Sequence, residues 1–226
     1  MGRPMTETMD LIFAGVGGQG VLLIAELTAQ AAVRAGFDVK QTEVHGVSQR
    51  GGSVESHVRY GERVHSPLVA VGQADVVLGL EKLEALRYAH YVRQRAADGT
   101  SPIAEDLSPS AIGHAERLSA HGVLLVNDHE IIPGSVTNAA EKYPHDALDF
   151  VRQKGLRVVS VCASERAKEL GDGRMANVIM LGALSTLLSI SQTVWIQTMQ
   201  EKFPAKLCDA NVRAFEIGRS QIADGG

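Results

Sequence analysis

The sequence predicts a three-layer α/β domain, with a mostly parallel sheet, helices on both faces and a helical C-terminal part. A glycine-rich turn, Gly15-Val16-Gly17-Gly18-Gln19-Gly20, joins a short apolar run, Asp10 to Ala14, to the apolar-dense stretch Val21 to Val33. Strand-length apolar runs then alternate with segments of helical length, as where Ala74 to Leu80 gives way to Glu81 and beyond. From Ser164 onward the helical segments follow one another.

Taken in order, Asp10 to Ala14 is a buried strand and Val21 to Val33 a helix, so the glycine turn lies at a strand-to-helix junction, as in a Rossmann-like sheet. Phe37 to Val44 is the next strand. Ser53 to Tyr60 alternates Val54, Ser56, Val58 and Tyr60 against Glu55, His57 and Arg59, which makes it a strand as well. After a turn at Gly72-Gln73, Ala74 to Leu80 is a buried strand, and Glu81 opens a helix expected to reach about Arg95. An acid there suits the helix dipole, and the carboxyl end of a parallel strand is also where such sheets place ligand groups. Val123 to Asn127 is a strand, Ile131-Ile132-Pro133 irregular, His145 to Gln153 a helix and Leu156 to Val161 a strand. Helices are expected over Ser164 to Leu170, Arg174 to about Ile190, Thr193 to Phe203, where Pro204 ends the run, and Asp209 to Ile222. Residues 1–226 read as a single domain behind a flexible tail, 1–9; the tail's match to the loose myristoylation pattern is accidental.

Gly15 allows a tight bend, Gly17 close approach by a ligand and Gly20 close packing of helix on strand, while the helix N-terminus offers N–H donors to an anion. Glu43 stands near the end of the next strand, where an acid would hold a ribose hydroxyl. That spacing fits a bound dinucleotide, or equally a helix simply packed on a sheet. The loop from Glu43 to Val54 is more particular. It carries His45, Ser48, Gln49 and Arg50 among Gly46, Gly51, Gly52 and Ser53, more than a turn needs. Arg50 sets a bidentate fork beside glycine N–H groups, a combination suited to a phosphate or carboxylate, or to a subunit contact. The candidate cofactor-binding or subunit-interface residues are thus Gly15, Gly17, Gly18, Gln19, Gly20, Glu43, His45, Gly46, Ser48, Gln49, Arg50, Gly51, Gly52 and Ser53.

Over most of its length the chain resembles the gamma-type subunits of 2-oxoacid:ferredoxin oxidoreductases. The matching stretches are the Gly15–Gly20 turn, His45 to Val54, Ser66-Pro67-Leu68, Ala74 to Glu81, Leu83 to Tyr88, Asn177 to Ala183 and Asn211 to Gly218. The form of the His45–Val54 loop is similar to the indolepyruvate branch, whose small subunit is called beta. The resemblance adds Asn177 to the candidate residues, touching the glycine turn or a ligand, or else only capping or packing its helix. Residues from about 96 to 122 depart from the family pattern as an insertion opened by Asp98-Gly99-Thr100-Ser101-Pro102. Ser108 can cap and Pro109 start a helix there over Ala111 to Ala120, as a partner contact or a tolerated surface loop.

Members of that family decarboxylate a 2-oxoacid on thiamine diphosphate and magnesium, pass electrons through 4Fe-4S clusters to ferredoxin, and release an acyl-coenzyme A. Cluster ligation needs closely spaced cysteines, whereas Cys162 and Cys208 are far apart and read as inert core or helix residues. Gly171-Asp172-Gly173 looks like the opening of a thiamine diphosphate motif, but its downstream asparagines are missing, and Gly171 reads as a helix cap. The resemblance therefore implies an accessory subunit, inactive alone, that binds no cofactor tightly and assembles with a larger alpha-type subunit bearing thiamine diphosphate and the clusters. Coenzyme A would be shared between the two, ferredoxin would accept the electrons, and a homodimer is the form open to the isolated chain. No catalytic residue is assigned.

Composition bounds the alternatives. A net charge of −4, a pI near 6.1 and 4% aromatic residues argue against nucleic-acid binding. His45, His57 and His65 lack metal-ligand spacing, and no uninterrupted apolar stretch spans a membrane, so a cytoplasmic protein without a metal site is expected. A free-standing nicotinamide dehydrogenase using Gly15, Gly17, Gly20 and Glu43, and a non-catalytic nucleotide-binding scaffold, are the remaining readings.

Overall fold

The computed structural model describes residues 8–45, 52–94, 122–132 and 143–223. Its strands are β1 (Met9–Val16), β2 (Asp38–His45), β3 (Ser53–Gly61), β4 (Val76–Gly79), β5 (Val123–Asn127) and β6 (Arg157–Val161). Its helices are α1 (Val21–Arg34), α2 (Lys82–Tyr88), α3 (Ala147–Gln153), α4 (Ala163–Glu169), α5 (Ala176–Ser185), α6 (Gln192–Lys202) and α7 (Ala205–Ala223). The strands form one sheet in the order β2-β3-β1-β4-β5-β6. β1, β4, β5 and β6 run parallel, and β3 is antiparallel to both its neighbours, so it alone opposes the common direction.

The period-two alternation of the strands separates two cores. Leu11 and Phe13 of β1 pack with Ile24 and Leu27 of α1, Ile179 of α5, Trp195 of α6 and Phe215 of α7. Ile12, between them, faces the opposite layer with Val77, Leu124, Ala85 of α2 and Leu148 of α3. The result is the expected three-layer, mostly parallel α/β architecture. Two glycines let α5 and α7 cross in backbone contact: a side chain at Gly182 would strike Phe215 O, and one at Gly218 would strike Ile179 O. That explains two of the short matches, Asn177 to Ala183 and Asn211 to Gly218, as packing.

Several boundaries differ from those predicted. Met9 pairs with Tyr60 and begins β1, so the tail is shorter than 1–9. α2 stops at Tyr88 rather than near Arg95, followed by a 3-10 turn, Ala89–Tyr91. Val92 leaves the helix to bridge Ala74 in parallel, with Ala74 N donating to Tyr91 O at 2.8 Å and Arg93 N to Ala74 O at 2.8 Å. α5 ends at Ser185, where Ser185 and Thr186 hydroxyls donate to the carbonyls of Gly182 and Ala183, a competition that weakens a helix end. α7 begins directly after Pro204 instead of at Asp209, because proline suits a helix start as well as it ends the preceding one. The insertion expected at 96–122, with its Ala111–Ala120 helix, lies outside the described residues apart from Gly122.

Candidate functional site

β1 delivers the glycine turn to the carboxyl end of the sheet, and the bend itself is made at Gly18 (φ 95°) and Gly20 (φ 83°), in the left-handed region glycine favours. Gly15, assigned the bend from sequence, is instead inside β1, where it makes room: a Cβ there would lie 2.8 Å from Gln19 Oε1 and 2.8 Å from Val21 Cγ2. Gly17 N donates to Gly52 O at 2.9 Å, so the two glycine segments touch. Asn177 is buried, and its Nδ2 fills the space a side chain at Gly20 would need. It therefore contacts the turn and does not cap α5, whose N-cap is Met175. No side chain caps α1 and no acid occupies its first turn, which leaves that end of the helix suited to an anion.

α1 follows β1 onto one face and α2 follows β4 onto the other, so the crevice between β1 and β4 is the switch point where doubly wound sheets bind ligands. Here Gln19 bridges it. Its Oε1 accepts from Val16 N at 2.7 Å and its Nε2 donates to Leu80 O at 3.3 Å. Asn127, at the end of β5, donates to the same Leu80 carbonyl at 3.1 Å and to Ser164 Oγ at 2.8 Å, while accepting from Ser164 N. Side-chain amides thus stitch the rim from β1 across to the start of α4.

Glu43 does not stand where a dinucleotide fingerprint needs it. β3 lies between β2 and β1, so Glu43 is two strand spacings, roughly 10 Å, from β1. The spacing argument assumed that consecutive strands would be neighbours in the sheet, and the β2–β3 hairpin breaks that assumption. Glu81 is also committed internally. It is the N-cap of α2, accepting from Glu84 N at 2.9 Å, and its buried carboxylate accepts from Ile131 N and Tyr143 OH, both at 3.2 Å.

Ser53 leads β3 out of the second loop and donates from Oγ to the buried Glu84 at 2.5 Å, with Tyr88 OH 3.4 Å away. Burial, together with the Glu55 carboxylate, pushes the Tyr88 hydroxyl up to about 12. Further along β3, His57 accepts from Val69 N at Nδ1 (3.1 Å); its Nε2 has no hydrogen-bond partner and lies 3.8 Å from Glu55 Oε1. Burial holds this imidazole below the usual histidine range. Lys82 bridges Asp128 at 2.5 Å and Glu130 at 3.1 Å. Of the predicted residues, the structure gathers Gly15 to Gly20, Gly52 and Asn177 around the turn. Gly46, Ser48, Gln49, Arg50, Gly51 and the side chain of His45 lie outside the described residues. Sequence reasoning missed Asn127 and Glu84; Asn127 was signalled by a lone polar residue ending an otherwise apolar strand.

The residues weighed above for thiamine diphosphate and cluster ligation have local structural roles. Gly171 has φ 87° and closes α4, and Asp172 accepts from Arg174 N and its guanidinium, which holds the carboxyl down to about 2. Cys162 is exposed before α4 rather than in the core, and Cys208 is half-buried in α7. Among the described residues no group of three or more His, Cys, Asp or Glu could hold a metal, and no helix is long and apolar enough to cross a membrane.

The model for the pyruvate ferredoxin/flavodoxin oxidoreductase family matches residues 10–221. An indolepyruvate oxidoreductase subunit, IorB, of Archaeoglobus fulgidus is 34% identical over 221 residues, covering 96% of each chain. Among solved structures, the gamma subunit of a keto/oxoacid ferredoxin oxidoreductase from Geobacter sulfurreducens superposes with a TM-score of 0.61 at 21% identity, covering 96% of this chain and 99% of that one. The 2-oxoglutarate:ferredoxin oxidoreductase of Magnetococcus marinus, solved with 2-oxoglutarate, coenzyme A and succinyl-CoA bound, gives 0.65 at 19%, covering 98% of this chain but 32% of that longer one. One observation from the residues upward accompanies these likenesses: a glycine turn that opens a helix with no side-chain cap. The chain belongs to the pyruvate ferredoxin/flavodoxin oxidoreductase family, as an accessory subunit within a 2-oxoacid:ferredoxin oxidoreductase.

Proposed function

We propose that this chain is the small subunit of a cytoplasmic thiamine diphosphate-dependent indolepyruvate:ferredoxin oxidoreductase, which oxidatively decarboxylates aryl-pyruvates to acyl-coenzyme A. A larger partner carries thiamine diphosphate, magnesium and the 4Fe-4S clusters and hands electrons to ferredoxin. The observation that carries the reading is the end-to-end correspondence with the Archaeoglobus indolepyruvate oxidoreductase subunit, 96% of each chain. The geometry supports a binding role for the turn: an uncapped α1 N-terminus, the Asn177 carboxamide against Gly20, and the Gly17–Gly52 bond that ties the second loop to it. This arrangement suits an acidic group of coenzyme A held between the subunits. The sequence of the second loop, with His45, Ser48, Gln49 and Arg50, holds the residue types such a surface would need.

The test is to recover the chain from its native extract and assay the retained material for aryl-pyruvate- and coenzyme A-dependent reduction of a viologen dye. A brown, iron–sulfur-bearing partner with that activity is the expected result; a colourless chain that binds only itself would refute it. Replacing Arg50 by Ala is expected to impair assembly or turnover, with the melting temperature of the isolated chain unchanged. Unaltered assembly and turnover would remove Arg50 from the site.

A further inference from the structure

Two acids at the start of α2 are buried, Glu81 at 1% exposure and Glu84 at 6%. A carboxylate withdrawn from water is destabilising unless its oxygens find donors. Glu81 takes Glu84 N and, beyond β5, Ile131 N and Tyr143 OH. Glu84 turns the other way, towards the sheet. Gly79 makes that possible: a Cβ there would lie 2.8 Å from Ala85 Cα, so the first turn of α2 rests directly on β4. From this position the Glu84 side chain reaches past the end of β1 to β3, where one oxygen accepts from Ser53 Oγ at 2.5 Å. Its other oxygen lies 3.4 Å from the exposed Arg87.

Ser53 stands at a sensitive place. The residue before it, Gly52, accepts from Gly17 N at 2.9 Å, and Ser53 itself faces Val16 in the β1–β3 register. Gly17 lies between Val16, whose N–H donates to Gln19, and the two glycines of positive φ that make the bend. The turn is thus braced on two sides, by Gln19 from the Leu80 carbonyl and by Gly52 from β3. The second brace is itself fixed by Glu84. Replacing both partners of a buried polar contact by apolar groups of similar volume is nearly neutral to stability, or favourable. Fold stability alone therefore gives no reason for an acid at position 84.

We propose that Glu84 is a positioning residue: through the Ser53 hydroxyl it holds Gly52 against Gly17, and so sets the shape of the glycine turn that receives an acidic group of coenzyme A. It touches no ligand itself. The proposal rests on the coenzyme A reading above. A contact of this kind governs how well the turn is organised before binding and leaves the chemistry of the larger subunit alone. Its loss therefore shows in the dependence on coenzyme A concentration before it shows in turnover.

The test uses the complete complex with the larger subunit, assayed by viologen reduction at saturating aryl-pyruvate and varied coenzyme A. Wild type is compared with the double variant Ser53→Ala/Glu84→Met and with Glu84→Gln. Methionine fills the volume without an acceptor, whereas glutamine keeps a carbonyl oxygen for the Ser53 hydroxyl and removes the charge. The expected result in the double variant is a KM for coenzyme A raised on the order of 10-fold, kcat changed less than KM, and a melting temperature no lower than wild type. In Glu84→Gln the KM should return to within about twofold of wild type. An unchanged KM in the double variant overturns the proposal and leaves the pair as packing. A KM rise in Glu84→Gln as large as that of the double variant assigns the effect to charge and overturns it too, as does a KM rise accompanied by a lowered melting temperature in the double variant. In each of these cases coenzyme A-dependent activity of the wild type leaves the subunit reading standing. A wild-type complex whose dye reduction ignores coenzyme A would sink that reading and this proposal together.

Discussion

The glycine turn and the amino end of the sheet are held together by different chemistry. Around the turn neutral amides do the work: Gln19 and Asn127 share the Leu80 carbonyl, and Gly17 bonds to Gly52, while the charged groups of that end, Glu81, Glu84 and the Lys82 pairs with Asp128 and Glu130, lie beyond the turn on α2 and after β5. At the amino end, charges do it, through the chain Arg59–Asp10–Asp75–Arg93, in which Asp10 N also donates to Asp75 Oδ2 at 2.8 Å. Neutral stitching leaves the electrostatic field of the α1 N-terminus unopposed, so an incoming anion meets no fixed carboxylate in the first turn. Charged stitching satisfies itself, and it yields a platform rather than a receptor. The difference separates an end left open to a ligand from an end closed on its own charges.

The sharpest way to break that contrast is Arg59→Ala. The Asp10 it serves is 4% exposed, and truncation strands that carboxylate and frees two loop carbonyls. Removing one partner of a buried pair costs roughly 3–5 kcal/mol, and because the Arg59 side chain is a fifth exposed, about 3 kcal/mol is expected. Urea denaturation measures it. Hydrogen exchange in the same variant should rise at Val69 and stay unchanged at Gly17; a rise at both would mean the two ends are one cooperative unit.

At the other end, Gly20→Ala is expected to cost about 2 kcal/mol: a left-handed conformation is worth roughly 1–2 kcal/mol to a non-glycine residue, and the new methyl displaces Asn177. Gly18→Ala shares the conformation (φ 95°) but meets open space, so its loss should be about 1 kcal/mol. The difference between the two melting curves isolates the Asn177 contact. Equal losses would show that Asn177 moves aside freely.

The sequence made the carboxyl end readable because glycines cluster there within a few residues and a turn is a local event. The amino end was silent. Arg59 and Asp10 are 49 residues apart, Asp10 and Asp75 65 apart, and no pattern along the chain announces an ion pair between distant strands. The strands themselves were legible from apolar runs, but their order was not: nothing in Phe37 to Tyr60 says that the hairpin inserts β3 beside β1, and with that insertion the role read for Glu43 was lost. Helix ends failed where partners distant in sequence intervene, as when the Val92 backbone leaves the helix to pair with Ala74.

His57 supplies the mildest test, and it reports on the charged end alone. Its Nδ1 accepts the Val69 N–H, a role only the neutral ring can play, and burial lowers its affinity for a proton; Glu55 pulls the other way and Arg59 opposes it. Tyr91 offers a ring edge and no charge. In the unfolded chain the histidine titrates near about 6.5, so on acidification the unfolded state takes up a proton before the folded state does. Stability from this group is therefore complete above that value, is lost as pH falls from it towards the depressed folded value, and is constant below. His57→Gln keeps an acceptor for Val69 but no titration, so its stability should fall less than wild type between neutral and mildly acid pH. Parallel pH profiles for the two proteins would mean that the imidazole takes up its proton as readily in the fold as in the unfolded chain, and that the Val69 bond does not hold the loop.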